Sequence, residues 1–192
     1  MAFKLSKFSL ERIQENVAQR RGEALLSELS DLHPADIAEV IDQLELEEAR
    51  YVYEMLEPEL AAEVLVELPE DLRDSLLENY TGKEIAEELI EQLDSDDAAD
   101  VIAELPEDLK EEVLANIEDA EHLSDITDLL TYDENTAGGI MAKELVKVNV
   151  GSMLLHCVRE LRAHADDIEH IYVINVVDDH DKFVGTIPLK NW

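Results

Sequence analysis

The chain has 192 residues, 46% of them hydrophobic, and carries 48 acidic against 15 basic side chains, a formal charge of −33. That is enough apolar material for a folded core. The charge balance excludes nucleic acid as a partner, since phosphate binding needs clustered Lys and Arg, and it disfavours an anionic lipid surface.

The N-terminal stretch MAFKLSKFSLERIQENVAQRR lacks the apolar run of a signal peptide. No segment has the length needed to cross a bilayer; the longest apolar run, Ile171 to Val177, is short and interrupted by Asn175. Cys157 is the single cysteine, so no internal disulfide forms and a reducing compartment is expected. Taken alone, the chain reads as soluble and cytosolic.

Repeats govern the first two thirds. Ala61 to Leu72 (AAEVLVELPEDL) recurs as Ala98 to Leu109 (AADVIAELPEDL), each position shifted by 37 residues. A looser copy lies upstream, where Pro34, Ala38, Glu39, Val40, Ile41 and Leu44 match Pro58, Ala62, Glu63, Val64, Leu65 and Leu68. Ile85-Ala86-Glu87 opens a further imperfect unit. Apolar residues at helical spacing, such as Leu60, Val64 and Leu68 or Leu89 and Leu93, predict short amphipathic helices. Pro34, Pro58, Pro69 and Pro106 mark their first turns, and Asp94 or Ser95 is a predicted N-cap. Helices this short do not stand alone in water, so they are expected to stack into a superhelix with acidic outer faces. Val64 and Val101 hold equivalent inward positions in that reading.

Near residue 132 the pattern changes. Gly138 and Gly139 appear, then Leu145 to Val150 reads as a strand and Met153 to Ala163 as an amphipathic helix with Leu154, Val158 and Leu161 on one side. Ile171 to Val177 and Phe183 to Leu189 read as strands joined by the polar turn Asp178-Asp179-His180-Asp181-Lys182. The resulting β-α-β-β order is part of a small α/β module. The fold class is therefore mainly α, an armadillo-like superhelix over residues 1–131 followed by a partial α/β module over 132–192.

Asp96 and Asp100 sit four apart on one predicted helix, so their carboxylates share a face. Like charges at that spacing cost about 0.2–0.5 kcal/mol without a counter-ion. Asp97 adds a third charge, and Glu63 occupies the repeat position of Asp100. Clustered oxygens without His or Cys suit Mg²⁺ or Ca²⁺ rather than zinc. A plainer reading also holds: Asp96 and Asp97 are first-turn acids that complement the helix dipole. The DSDD run is not an EF-hand loop, the histidines show no zinc spacing, and no nucleophile-base pair or phosphate-binding Gly loop can be assembled. The chain reads as no enzyme.

The stretches LHPADIAEVIDQL, the repeats ending LPEDL, YDENTAGGIMAKELVKVNVG and HIYVINVVDDHDKFVGTIPLKNW resemble the cytosolic portion of MgtE-type magnesium transporters, across residues 30–192. The resemblance implies a helical N domain leading into paired CBS modules and a dimeric transmembrane pore. Residues 132–192 would then be a linker and an incomplete first CBS module, without the second module and the pore. It further implies Mg²⁺ binding at Glu63, Asp96 and Asp100 with a backbone-carbonyl contact at Gly139, so that high Mg²⁺ screens repulsion, compacts the homodimer and closes the pore at the cytoplasmic face of the membrane. Pro188 and Asn191 depart from the Ser/Thr and Asp that CBS modules often use for ribose, which argues against nucleotide binding. The alternative is a helical-repeat protein–protein adaptor similar to flagellar motor switch proteins, with His33-Pro34 resembling their helix starts; it predicts more helices after residue 130 instead of the β-α-β-β segment.

Overall fold

A computed structural model describes residues 7–30, 32–133, 135–163 and 172–189. They fall into two compact units, one formed by Met1–Leu93 with Asp97–Tyr132, the other by Asp94–Asp96 with Asp133–Trp192. Ile171, the first residue of a predicted strand, and Asn191 lie outside the described residues.

The first unit is built of short helices: α1 Lys7–Ala18, α2 Gly22–Leu29, α3 Pro34–Asp42, α4 Leu46–Tyr53, α5 Pro58–Glu67, α6 Glu70–Leu77, α7 Gly82–Glu88, a 3₁₀ turn Ile90–Gln92, α8 Ser95–Glu104, α9 Glu107–Asn116 and α10 Ala120–Leu129. Most of these are 7 to 10 residues long, too short to persist without packing. They stack in sequence: α3 packs on α5, α5 on α7, α7 on α9, and α4 on α6. The twin repeats land on equivalent elements, α5–α6 and α8–α9. Val64, Leu65, Val101 and Ile102 are fully buried, as the repeat phase requires. Each such side chain contributes about 1.5–3 kcal/mol by leaving water.

The helix boundaries follow local chemistry. Pro34 and Pro58 occupy the first helical position. Pro69 and Pro106 stand one residue earlier than predicted, as the caps of α6 and α9 with ψ of 142° and 144°. A proline also drives its predecessor out of the helical region, and Leu68, extended at ψ 149°, ends α5 just there. Thr81 caps α7 in a reciprocal box with Glu84, and the Asp119 carboxylate caps α10 by accepting from the Glu121 and His122 amides. These bonds hold the carboxyls of Glu84 and Asp119 below the usual range. Gly82 allows α7 to approach α9: a Cβ there would lie 2.5 Å from the Glu112 side chain.

The second unit contains a three-stranded sheet in the order β1-β2-β3. Strand β1 (Lys147–Asn149) runs parallel to β2 (Val173–Val177), and β3 (Phe183–Pro188) runs antiparallel to β2. Helix α11 (Leu154–Ala163) connects β1 to β2. The β-α-β-β order is therefore present, with β1 shorter than its sequence pattern. The core holds Val146, Val148, Cys157 and Ile174, flanked by Leu161, Val176, Ile187 and Leu189. The buried stripe of α11 is turned from the expected one, because Cys157 faces the core while Leu154 is exposed. Asp178 to Lys182 forms the expected hairpin turn: Asp178 Oδ1 accepts from the His180 and Lys182 amides, and Asp181 takes the left-handed conformation at φ 59°. Among the described residues no helix is long and apolar enough to cross a membrane.

Candidate metal centre

The acidic residues of greatest interest gather at the first turn of α8. Asp94, Asp96 and Glu144 each present one carboxylate oxygen, all within 4.8 Å of one another, and all three residues are half-buried. They belong to the same compact unit, since Asp94–Asp96 groups with the residues after 132. Glu144 is held by the helix start itself: Oε1 accepts from the Ser95 amide at 2.9 Å, and Oε2 from Ser95 Oγ at 2.9 Å and the Lys143 amide at 3.1 Å. Ser95 is fully buried, so this anchorage is sheltered from water. An unpaired amide at a helix N-terminus attracts negative charge, and a carboxylate 49 residues downstream meets that demand. Ser95, one of the two predicted cap residues, thus has both its amide and its hydroxyl held by a distant glutamate.

All three donors are carboxylate oxygens, the set that suits a hard divalent cation. An octahedral Mg²⁺ shell at 2.0–2.1 Å places its ligand atoms about 3–4 Å apart. The three oxygens here lie within 4.8 Å of one another, close enough to share such an ion, and Mg²⁺ bound by so few carboxylates keeps several of its waters. Three acceptor positions of Glu144 are already taken by protein donors, which fixes the orientation of its carboxylate within the group.

The other predicted residues are placed as follows. Glu63 lies half-buried on α5 and Asp100 exposed on α8, both within the helical unit. Neither is part of the Asp94–Asp96–Glu144 group. Gly139 is half-buried in the second unit, and its amide donates to the Thr136 carbonyl oxygen at 3.1 Å. Sequence reasoning offered Asp94 only as a helix cap and did not reach Glu144. Glu144 stands inside the MAKEL stretch, but nothing local connects it to a helix start far upstream.

Comparison with known proteins adds the following. The family model described as the MgtE intracellular N domain matches residues 32–135. The magnesium transporter MgtE of Thermus thermophilus is 30% identical over 180 residues, 93% of this chain and 40% of that protein. The magnesium transporter MgtE of Enterococcus faecalis is 36% identical over 67 residues, 35% of this chain and 15% of that protein. The chain thus spans less than half the length of either transporter. Among solved structures, the cytosolic domain of the Mg²⁺ channel MgtE in complex with ATP matches at a TM-score of 0.81 and 29% identity, over 94% of this chain and 73% of that one. The soluble part of a magnesium transporter matches at a TM-score of 0.80 and 23% identity, over 96% of this chain and 72% of that one, a likeness of fold.

Proposed function

The chain belongs to the MgtE family, matching its intracellular N domain over residues 32–135, and from that premise we propose that it is the cytosolic Mg²⁺-sensing regulatory region of a magnesium transporter. Residues 1–131 form the N domain and 132–192 the linker and first part of a CBS module. The second module and the pore belong to the remainder of a longer protein, which works as a homodimer at the cytoplasmic face of the membrane. Mg²⁺ binds at Glu63, Asp96 and Asp100 with the Gly139 carbonyl, and Asp94 and Glu144 extend the acidic set around Asp96. The role is regulatory, not catalytic.

The observation that carries this reading is the gathering of three half-buried carboxylates at one helix start in a chain of formal charge −33. Without a cation, such a group resists close approach of further negative charge. A divalent ion removes that resistance, so the compact arrangement becomes the one that binds Mg²⁺ best. An ion shifts a conformational equilibrium only through such a difference in affinity. That is the physical basis for pore closure at high Mg²⁺. The ATP of the solved relative is not carried over, because Pro188 stands where the resemblance implies a Ser or Thr.

Thermal melting in MgCl₂ against NaCl of equal ionic strength tests the proposal. At ten times its dissociation constant, Mg²⁺ adds about 1.4 kcal/mol to the stability of the state that binds it. A larger rise in melting temperature in MgCl₂ is expected; equal shifts in both salts would reduce the effect to charge screening and sink the reading.

A further inference from the structure

We infer that Arg73 is a positioning residue for the proposed Mg²⁺ site, clamping the end of the helix that carries Glu63 to the end of the helix that carries Asp100. The inference rests on the reading under Proposed function and concerns how that site is held.

Arg73 sits on α6 and is 8% exposed. Its Nη1 donates to Glu104 Oε2 at 2.8 Å, while its Nη2 donates to the carbonyl oxygens of Val66 at 3.0 Å and Leu68 at 3.1 Å. Val66 lies in the last turn of α5 and Leu68 is its C-cap, whereas Glu104 is the last residue of α8. One guanidinium therefore joins three helices. The candidate ligands are each about one turn away from it: Glu63 precedes Val66 by three residues, and Asp100 precedes Glu104 by four, spacings that keep residues on one helix face. A cation near a helix C-terminus is favoured by the dipole alone. That accounts for a positive charge at the end of α5, but a free charge would satisfy it equally well. A planar fork bonded to both helix ends fixes their separation, which a point charge on a flexible stem does not. The same position is crowded with acids: burial raises the Glu104 carboxyl above its ordinary range, Glu70, Asp74 and Asp100 add to that, and Arg73 opposes it.

The two divalent ions respond differently to such a clamp. Mg²⁺ demands near-octahedral geometry, while Ca²⁺ accepts variable coordination at longer distances. Loosening the clamp should therefore cost Mg²⁺ more than Ca²⁺, whereas a change in fold or in net charge acts on both ions alike.

The experiment titrates the purified chain with MgCl₂ and with CaCl₂ at constant ionic strength, comparing the unaltered protein, Arg73→Lys, Glu104→Gln and Asp100→Asn. Arg73→Lys keeps the charge but cannot fork to both carbonyls and the carboxylate. Glu104→Gln keeps a hydrogen-bond acceptor for Arg73 and is the milder variant where Arg73→Lys fails to fold. In either, the Mg²⁺ dissociation constant is expected to rise about tenfold, the scale of lost orienting contacts around metal ligands, with the Ca²⁺ constant rising no more than about threefold. Equal losses for the two ions, or none, in a folded variant would overturn the clamp. If the unaltered chain and Asp100→Asn bind Mg²⁺ equally, the site itself is misassigned and the inference falls with it.

Discussion

In the helical unit Val64, Leu65, Val101 and Ile102 are fully buried, and the short helices α3, α5, α7 and α9 pack one on the next. In the α/β unit the buried core cluster holds Val146, Val148, Cys157 and Ile174 at 2–5% exposure, while Phe183, Tyr172, Met153 and Leu155 are 67–79% exposed. The difference follows from architecture. A stack of repeats gives an internal helix cover on both sides, whereas among the described residues of the second unit a three-stranded sheet has one crossover helix, α11, to cover its apolar side chains. Stability should therefore reside in the helices, and the sheet should open more readily.

The largest expected effect is Val101→Asp, which places an unpaired charge in the repeat core and should cost more than about 4 kcal/mol. Circular dichroism should report loss of helix. The contrasting change Phe183→Asp, on an exposed strand residue, should leave the helical signal intact. A folded Val101→Asp protein would show that the two units do not differ as described.

Next in size is Ile174→Ala, expected to cost about 2–4 kcal/mol by opening a cavity. The cost should fall on the sheet alone: amide exchange at Val173–Val177 and Phe183–Ile187 should accelerate while α5 and α8 stay protected. Exchange that accelerates equally in both units would mean one cooperative body.

A smaller effect concerns pH. Asp119 and Glu84 have folded pKa values below the unfolded 3.8 and 4.5 because they accept backbone amides at helix starts. Their contribution is present above about pH 4.5 and is lost as pH falls through the depressed folded values. Acid melting should therefore fray α7 and α10 first, and Asp119→Asn, which keeps a capping oxygen, should flatten that part of the profile.

Much of this was legible in the sequence, for reasons that are themselves local. The twin repeats declare their helices because the 3.6-residue period and the LPEDL boundary appear twice, and the β-α-β-β order shows in the alternation around Val173–Val177. What escaped depends on distance along the chain. Glu144 reaches back 49 residues to the Ser95 amide, and Arg73 joins Val66 to Glu104; no spacing rule links such partners. The phase of α11 was misjudged for another reason: Leu154 looked like core by hydrophobicity, but Cys157 and Leu161 face the sheet. Of the candidate site, Asp96 fell within the carboxylate group and Asp94 stood beside it in the DSDD run, while Glu144 could be found only in three dimensions.

NMR titration of the isotopically labelled chain distinguishes a Mg²⁺ sensor built from these acids from a merely charged surface. MgCl₂ would be added at constant ionic strength while the amide signals of Glu63, Asp96, Asp100 and Gly139 are followed, with Asp100→Asn as control. Saturable shifts are expected at these positions, weakened in Asp100→Asn although the fold is unchanged. Shifts that are unsaturable, spread over all acidic helices and reproduced by NaCl would contradict the Mg²⁺ sensor.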